Sequence, residues 1–209
     1  SFERTELHRA RQSAHLLGRF HVRADHAPRP GVDCGTKRAD LIIGNNVLAH
    51  VPDLNDFVKG LKVLLKPTGL ITMEFPHLLR LMEENQFDTI YHEHFSYFSF
   101  LTTMKIMTRF GLTVFDVEEL STHGGSLRVF ARHAQDGSHR VSERVREMAE
   151  REERVGFTRL ETYFSFDEKV KETKRKIMTF LIDAKQAGKS IAGYGAPGKG
   201  NTLLNYCGI

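Results

Sequence analysis

An α/β fold is predicted by three features of the chain. A short apolar run, Asp40-Leu41-Ile42-Ile43-Gly44, ends at the polar pair Asn45-Asn46. An amphipathic helix follows, with Leu54, Phe57, Val58, Leu61, Leu64 and Leu65 at helical spacing and Asp53 placed to cap it. Pro67 and Gly69 then give way to a second apolar run, Leu70-Ile71-Thr72-Met73-Glu74-Phe75, closed by Pro76. Strand, helix and strand in that order make the unit from which parallel sheets are built. Ligands of such sheets sit beyond the carboxyl ends of the strands, and Asn45 and Asn46 fall there.

The bulk composition sets limits on this reading. With 40% hydrophobic and 27% charged residues over 209 positions, the chain reads as a water-soluble protein with a sizeable core, holding one domain and part of another. No run reaches the length of a membrane span, and Ser1-Phe2-Glu3-Arg4 does not begin a signal peptide. Cys34 and Cys207 stand far apart, giving neither a zinc framework nor a disulfide scaffold, so the cytoplasm is the expected compartment. The net charge of +4 lies in residues 1–38, which hold eight Lys/Arg against four Asp/Glu. The rest is neutral, which argues against a nucleic-acid surface. Residues 1–38 therefore read as an atypical basic leader. Leu7, Leu16, Leu17, Phe20 and Val22 hint at a short amphipathic helix there, and no strand is assigned.

Beyond Pro76 the elements alternate. His77 to Gln86 reads as a short helix, and Leu101 to Phe110 as another, ended by Gly111. Leu112–Val117 and Leu127–Ala131 read as an antiparallel pair of strands joined through His123-Gly124-Gly125-Ser126. Asp136 to Arg154 is a loop and helix whose dense Arg/Glu face reads as solvated surface. Ser165-Phe166-Asp167-Glu168 has the form of a capping box, followed by a buried stripe of Val170, Ile177, Leu181 and Ala184 and a stop at Gly188.

The densest chemistry lies in Asp88-Thr89-Ile90-Tyr91-His92-Glu93-His94-Phe95-Ser96-Tyr97. Two imidazoles, two phenols and two carboxylates stand beside apolar runs. Neutral imidazole is a natural base near pH 7, and a neighbouring acceptor can hold it in one tautomer. On an extended chain His92 and His94 would share one face, and Tyr91 and Glu93 the other; a turn would break that division. Phe95, Tyr97, Phe98 and Phe100 read as core or pocket wall. A further signal closes the sequence. Lys189-Ser190-Ile191-Ala192 reads as a strand leading into Gly193-Tyr194-Gly195-Ala196-Pro197-Gly198, a G-x-G-x-x-G spacing that lets backbone approach a phosphate at a helix start. Lys199 is followed by Gly200, so the loop is not a Walker A motif.

The stretch DLIIGNNVLAHVPDLNDFVKGLKVLLKPTGLITMEFP (40–76) resembles the second half of a class I S-adenosylmethionine-dependent methyltransferase domain. With YHEHFSYFS (91–99), HGGSLRVFARH (123–133) and GYGAPGKGNTLLNYCGI (193–209), residues 39–209 resemble the sugar C-methyltransferases that act on nucleotide-linked 4-keto-deoxysugars. The resemblance implies an incomplete Rossmann-like methyltransferase domain with an antiparallel appendage, then the start of a second Rossmann-like domain. It divides the chain into the leader (1–38), a partial methyltransferase domain (39–135), a helical linker (136–188) and the start of a nucleotide-sugar-binding domain (189–209). The Gly-rich strand–turn and the cysteine cluster that precede the matching part of the family have no counterpart in residues 1–38, so the front looks truncated or replaced.

The same resemblance implies the roles. His94 is the base that removes a proton next to a ketone, and Glu93 orients it. Tyr91 and His50 hydrogen-bond the substrate oxygens or the enolate. Gly44, Asn45 and Asn46 line S-adenosyl-L-methionine. His123, Gly124, Ser126 and Arg128, with Tyr194, Gly195, Lys199 and Asn201, receive the nucleotide sugar. Two other readings stand beside this one: a non-catalytic remnant that binds a nucleotide sugar or a protein partner, and a metal hydrolase using His50, His92 and His94.

Overall fold

Five strands form one mixed sheet in the computed structural model, which describes residues 20–23, 38–195 and 197–209. They are β1 (Phe20–Arg23), β2 (Ala39–Asn45), β3 (Leu65–Pro76), β4 (Leu112–Leu120) and β5 (Ser126–His133), in the order β1-β2-β3-β5-β4. β2 and β3 run parallel, with Ile42 beside Ile71 and Gly44 beside Met73. Their crossover is helix α1 (Leu54–Leu64). It opens where the Asp53 carboxylate accepts the Asp56 N–H at 2.9 Å, and it buries Phe57, Val58, Leu61 and Leu64. β5 lies antiparallel between β3 and β4. This is the partial Rossmann-like α/β arrangement expected, antiparallel appendage included.

β3 starts earlier than expected, directly at the end of α1. Pairing passes from Ala39–Leu65 to Leu41–Leu70, so Lys66 to Gly69 bulges out of the ladder. Proline has no N–H to donate and suits a bulge. Lys66 Nζ holds both oxygens of Asp40 there, at 2.7 and 2.8 Å.

β1 corrects the reading of residues 1–38, to which no strand is assigned. Phe20 pairs opposite Gly44 and Arg23 opposite Leu41 along the free edge of β2. Four residues are too few to show a period of two, and the pairing comes from the neighbouring edge. Leu7, Leu16, Leu17 and Cys34 lie outside the described residues, as does Ala196.

Helices α2 (Leu78–Glu83), α3 (Phe100–Arg109), α4 (Glu143–Val155), α5 (Leu160–Gln186) and α6 (Gly198–Cys207) complete the chain. α3 opens at Ser99, whose hydroxyl accepts the Thr102 N–H at 3.1 Å. Gly111 lies beyond its end at φ +71°, a backbone region that favours glycine. α4 departs from a purely solvated helix. Val145 and Met148 join the core with Ile42, Phe75, Phe100 and Val129, and Glu152 is completely buried. α5 begins five residues before the capping box. Ser165 lies within the helix and donates to the Thr162 carbonyl at 2.8 Å, a bond a helical serine makes as readily as a cap. Of the expected stripe Val170 is buried, and Ile177, Leu181 and Ala184 are half-buried. Lys189 to Ala192 is exposed and forms no strand, because no strand among the described residues lies beside it. No helix among the described residues is long and apolar enough to cross a membrane.

Glu152 joins three of these elements. Its Oε1 accepts from His77 Nε2 and from the Phe100 N–H, both at 2.7 Å, and its Oε2 accepts from the Leu101 N–H at 2.9 Å. Glu152→Ala strands three donors at once, two of them buried, and is expected to cost ~3–5 kcal/mol, the range for breaking a buried charged contact. Urea denaturation measures it. A loss below ~1 kcal/mol would show that the carboxylate holds little together.

Candidate active site

A cavity of about 190 Å³ lies where the chain leaves the carboxyl ends of β2 and β3. Asn46 follows β2 into it, and His50 reaches it from the short 3₁₀ turn Leu48–His50. Pro76 and His77 enter from the end of β3. Leu81, Gln86 and Thr89 form the next part of the wall, and Tyr91, Glu93, His94, Ser96 and Tyr97 close one side. His123 and Lys199 complete it from the β4–β5 connection and α6.

The segment after Ile90 is a turn, and that decides which side chains meet. The His94 N–H donates to the Tyr91 carbonyl at 3.1 Å. The Ala49 carbonyl accepts from Phe95 N at 2.8 Å and Ser96 N at 3.3 Å, which ties the turn to the base of the His50 loop. Tyr91, Glu93 and His94 therefore share the cavity, although an extended chain would have divided them. His92 is exposed and off the wall, and Phe95, read as core or wall, is 61% exposed. Phe98 and Phe100 are core.

His94 is held at several points. Its Nδ1–H donates to the Thr89 carbonyl at 3.0 Å, so in the neutral ring Nε2 is the basic nitrogen. The same carbonyl accepts from the Tyr97 hydroxyl at 3.2 Å. The His94 ring stacks on His50 at 4.8 Å between centroids and 19° between planes. Tyr91 and Tyr97 flank it at 5.0 and 5.6 Å. Burial, and then the neighbouring His94, hold the His50 imidazole below its ordinary range; Glu93 and the backbone of Asn46 act the other way. The His50 Nε2 is buried and has no partner. Burial raises the Tyr97 phenol, which keeps its proton at neutral pH.

The remaining expected residues divide. Asn46, His123 and Lys199 line the cavity. Gly44 is buried in the sheet, and Asn45 ends β2 with its Oδ1 buried and unpartnered. His123 stands at φ +55°, followed by Gly124 and Gly125 at +80° and +108°. A Cβ on Gly125 would come within 2.7 Å of the Arg80 side chain, so the turn requires glycine there. Ser126 donates to the Thr122 carbonyl at 3.0 Å. Arg128 donates to buried Glu74 at 2.8 Å, and Thr122 to the same carboxylate at 3.0 Å. Gly124, Ser126 and Arg128 thus build the turn that presents His123, without lining the cavity themselves. Tyr194, Gly195 and Asn201 are exposed and off its wall.

Sequence reasoning missed Thr89, Gln86 and His77. A backbone acceptor such as the Thr89 carbonyl leaves no mark in the residue type. His77 does carry one: it follows a strand-closing proline at the edge where ligands bind. No three His, Cys, Asp or Glu side chains among the described residues could hold a metal ion. His50 and His94 meet ring face to ring face, and His92 is exposed and off the cavity wall, which leaves the hydrolase reading without a ligand set among the described residues.

Residues 6–117 match the family model for a methyltransferase domain, starting inside the segment read as a leader, and residues 121–209 match that for a C-methyltransferase C-terminal domain. The chain is 40% identical over 171 residues to the C-methyltransferase NovU of Streptomyces niveus. That match takes in 82% of this chain and 40% of the relative, so the chain spans about two fifths of the length of that curated protein. Among solved structures, the magnesium protoporphyrin IX methyltransferase of Synechocystis PCC 6803 with bound SAH matches at a TM-score of 0.37 and 17% identity, over 46% of this chain and 45% of that one. With the methyltransferase-domain match covering more than half of its residues, the chain belongs to the S-adenosylmethionine-dependent methyltransferases.

Proposed function

We propose that the chain forms the catalytic part of a C-methyltransferase acting on a nucleotide-linked keto-deoxysugar, through base-assisted formation of an enolate. The observation that carries this reading is the bond from His94 Nδ1 to the Thr89 carbonyl, which leaves Nε2 as a base on the cavity wall. A sugar C–H next to a ketone is acidified by the carbonyl. His94 Nε2 takes that proton, and the electron pair of the C–H bond moves into the enolate. Glu93, on the same wall, stabilises the imidazolium that results. The Tyr91 hydroxyl donates to the enolate oxygen, and neutral His50 hydrogen-bonds a neighbouring substrate oxygen.

The cofactor fits the chain's own groups at one point. The Oδ1 atoms of Asn45 and Asn46 are buried acceptors without partners at the carboxyl end of β2, suited to the amino and hydroxyl donors of S-adenosylmethionine. When bound, that cofactor supplies an electrophilic methyl group. The residues around the cavity then act by aligning the enolate carbon and excluding water. Lys199 and His123 offer donors for the phosphates of a nucleotide sugar.

Two outcomes are expected. His94→Ala lowers methyl transfer by about 10²–10⁴-fold with the circular dichroism spectrum unchanged, and it also abolishes exchange of the substrate proton with deuterated water. Undiminished turnover by the folded variant would end the assignment. The second concerns His50. Because its folded pKa lies below that of the unfolded chain, the unfolded chain takes up the proton first. Its contribution to stability is therefore present above about 6.5 and lost as the pH falls toward the folded value. In NMR titration the His50 midpoint lies below the ordinary histidine value and moves up in His94→Asn. A midpoint at or above the ordinary value would contradict this account.

A further inference from the structure

His77 takes no part in the steps above, yet it is fully buried. It leaves the end of β3 through Pro76, and its N–H donates to the Gly125 carbonyl at 3.0 Å. Its ring meets Glu152 through Nε2 at 2.7 Å. The other two contacts of that carboxylate are backbone N–H groups, of Phe100 and Leu101. Glu152 is thus an acceptor throughout, and the shared proton rests on His77 Nε2. In the neutral ring this leaves a lone pair on Nδ1. That atom is buried and has no partner, while His77 itself lines the cavity. Two donors on the same wall are engaged elsewhere. The Tyr97 hydroxyl holds the Thr89 carbonyl, and the Gln86 amide holds Glu84 and the Gly124 carbonyl.

A buried acceptor without a donor is rare, and calls for an explanation in what the site receives. No group of the chain supplies that partner, and the cavity that His77 lines is where a bound molecule would. We propose that His77 is a substrate-binding residue whose Nδ1 accepts a hydrogen bond from a hydroxyl of the bound sugar, with Glu152 as the positioning residue that fixes the tautomer. This rests on the reading of the cavity as a sugar site. It adds a specificity rule: a sugar deoxygenated at the position facing His77 leaves the acceptor unmet and binds more weakly.

Histidine-selective ¹⁵N NMR tests the inference directly, with thymidine diphosphate-linked 4-keto-6-deoxyglucose as the probe. In the free protein His77 Nδ1 is expected to resonate as an unprotonated nitrogen, and to move in the direction of hydrogen-bond acceptance at saturation. His77→Gln keeps an amide N–H toward Glu152 and loses the acceptor, and is expected to weaken probe binding about tenfold with the melting temperature unchanged. His77→Asn keeps an acceptor near the Nδ1 position and loses the Glu152 contact. It is expected to melt earlier and to bind more tightly than His77→Gln. Equal losses of affinity in the two variants would reduce His77 to a structural role and overturn the inference. If the variants do not fold, the wild-type resonance decides. Movement of the His50 and His94 signals without His77 ends this inference and leaves the function standing. Movement of none of them ends both.

Discussion

Three parts of the molecule are fixed to one another through the carboxylate of Glu152, and the cavity takes its shape from that joint. The group is closed to solvent and sits at the amino end of α3, where unpaired N–H groups and the helix dipole both favour a negative charge. Ser99 caps the same helix end from within the chain. Glu152 reaches it from α4, across more than fifty residues of sequence. Its third contact carries the anchorage to His77, where the chain turns from the end of β3 into α2. A burial that would be costly for a lone carboxylate becomes favourable once three donors converge on it. The helix that covers the sheet and the wall of the site are therefore set by the same atom pair.

A second constraint works through backbone carbonyls. Ala49 receives two N–H groups from the Phe95–Ser96 segment, and Thr89 receives the His94 ring and the Tyr97 hydroxyl. Both acceptors lie in short 3₁₀ turns, Leu48–His50 and Phe87–Thr89, whose carbonyls are not all used by their own turn. The turn nearest the first strand pair thus brings in the loop that carries His94. The loop in turn orients its imidazole against its own beginning. Neither histidine is fully buried, so packing alone does not place them.

These features explain how far the sequence could be read. The strand–helix–strand unit from Ala39 to Pro76 was legible because Ile42, Leu61 and Ile71 repeat at the periods of their elements, and each is buried. The cluster of Tyr91, Glu93 and His94 was legible from residue type, but its geometry was not. Whether those side chains share a face depended on a turn closed by the Tyr91 carbonyl, which any residue supplies. β1 was hidden because four residues carry no period. Glu152 was hidden for a different reason. In ERVREMAEREERV it is one acidic residue among several, and only the tertiary fold sets it apart from Glu150 and Glu153, which stay in solvent. The start of α5 was misread because Ser165 can bond a helical carbonyl as well as cap a helix.

The stacked imidazoles carry the remaining argument about chemistry. Two rings 4.8 Å apart cannot both be charged without strong mutual repulsion, so a proton taken up by one keeps the other neutral. Burial already biases His50 against the charge, and its neighbour adds to that bias. His94, by contrast, has its Nδ1–H directed at a carbonyl, an interaction that an imidazolium strengthens. The pair is therefore divided by surroundings and not by residue type. His50 is biased toward its neutral form, while the His94 ring is oriented by the Thr89 carbonyl. Tyr97, kept protonated by burial, adds a second donor to the same Thr89 carbonyl. On the function proposed above, the stack lets each ring keep one role, His94 as the base and His50 as a neutral hydrogen-bonding group.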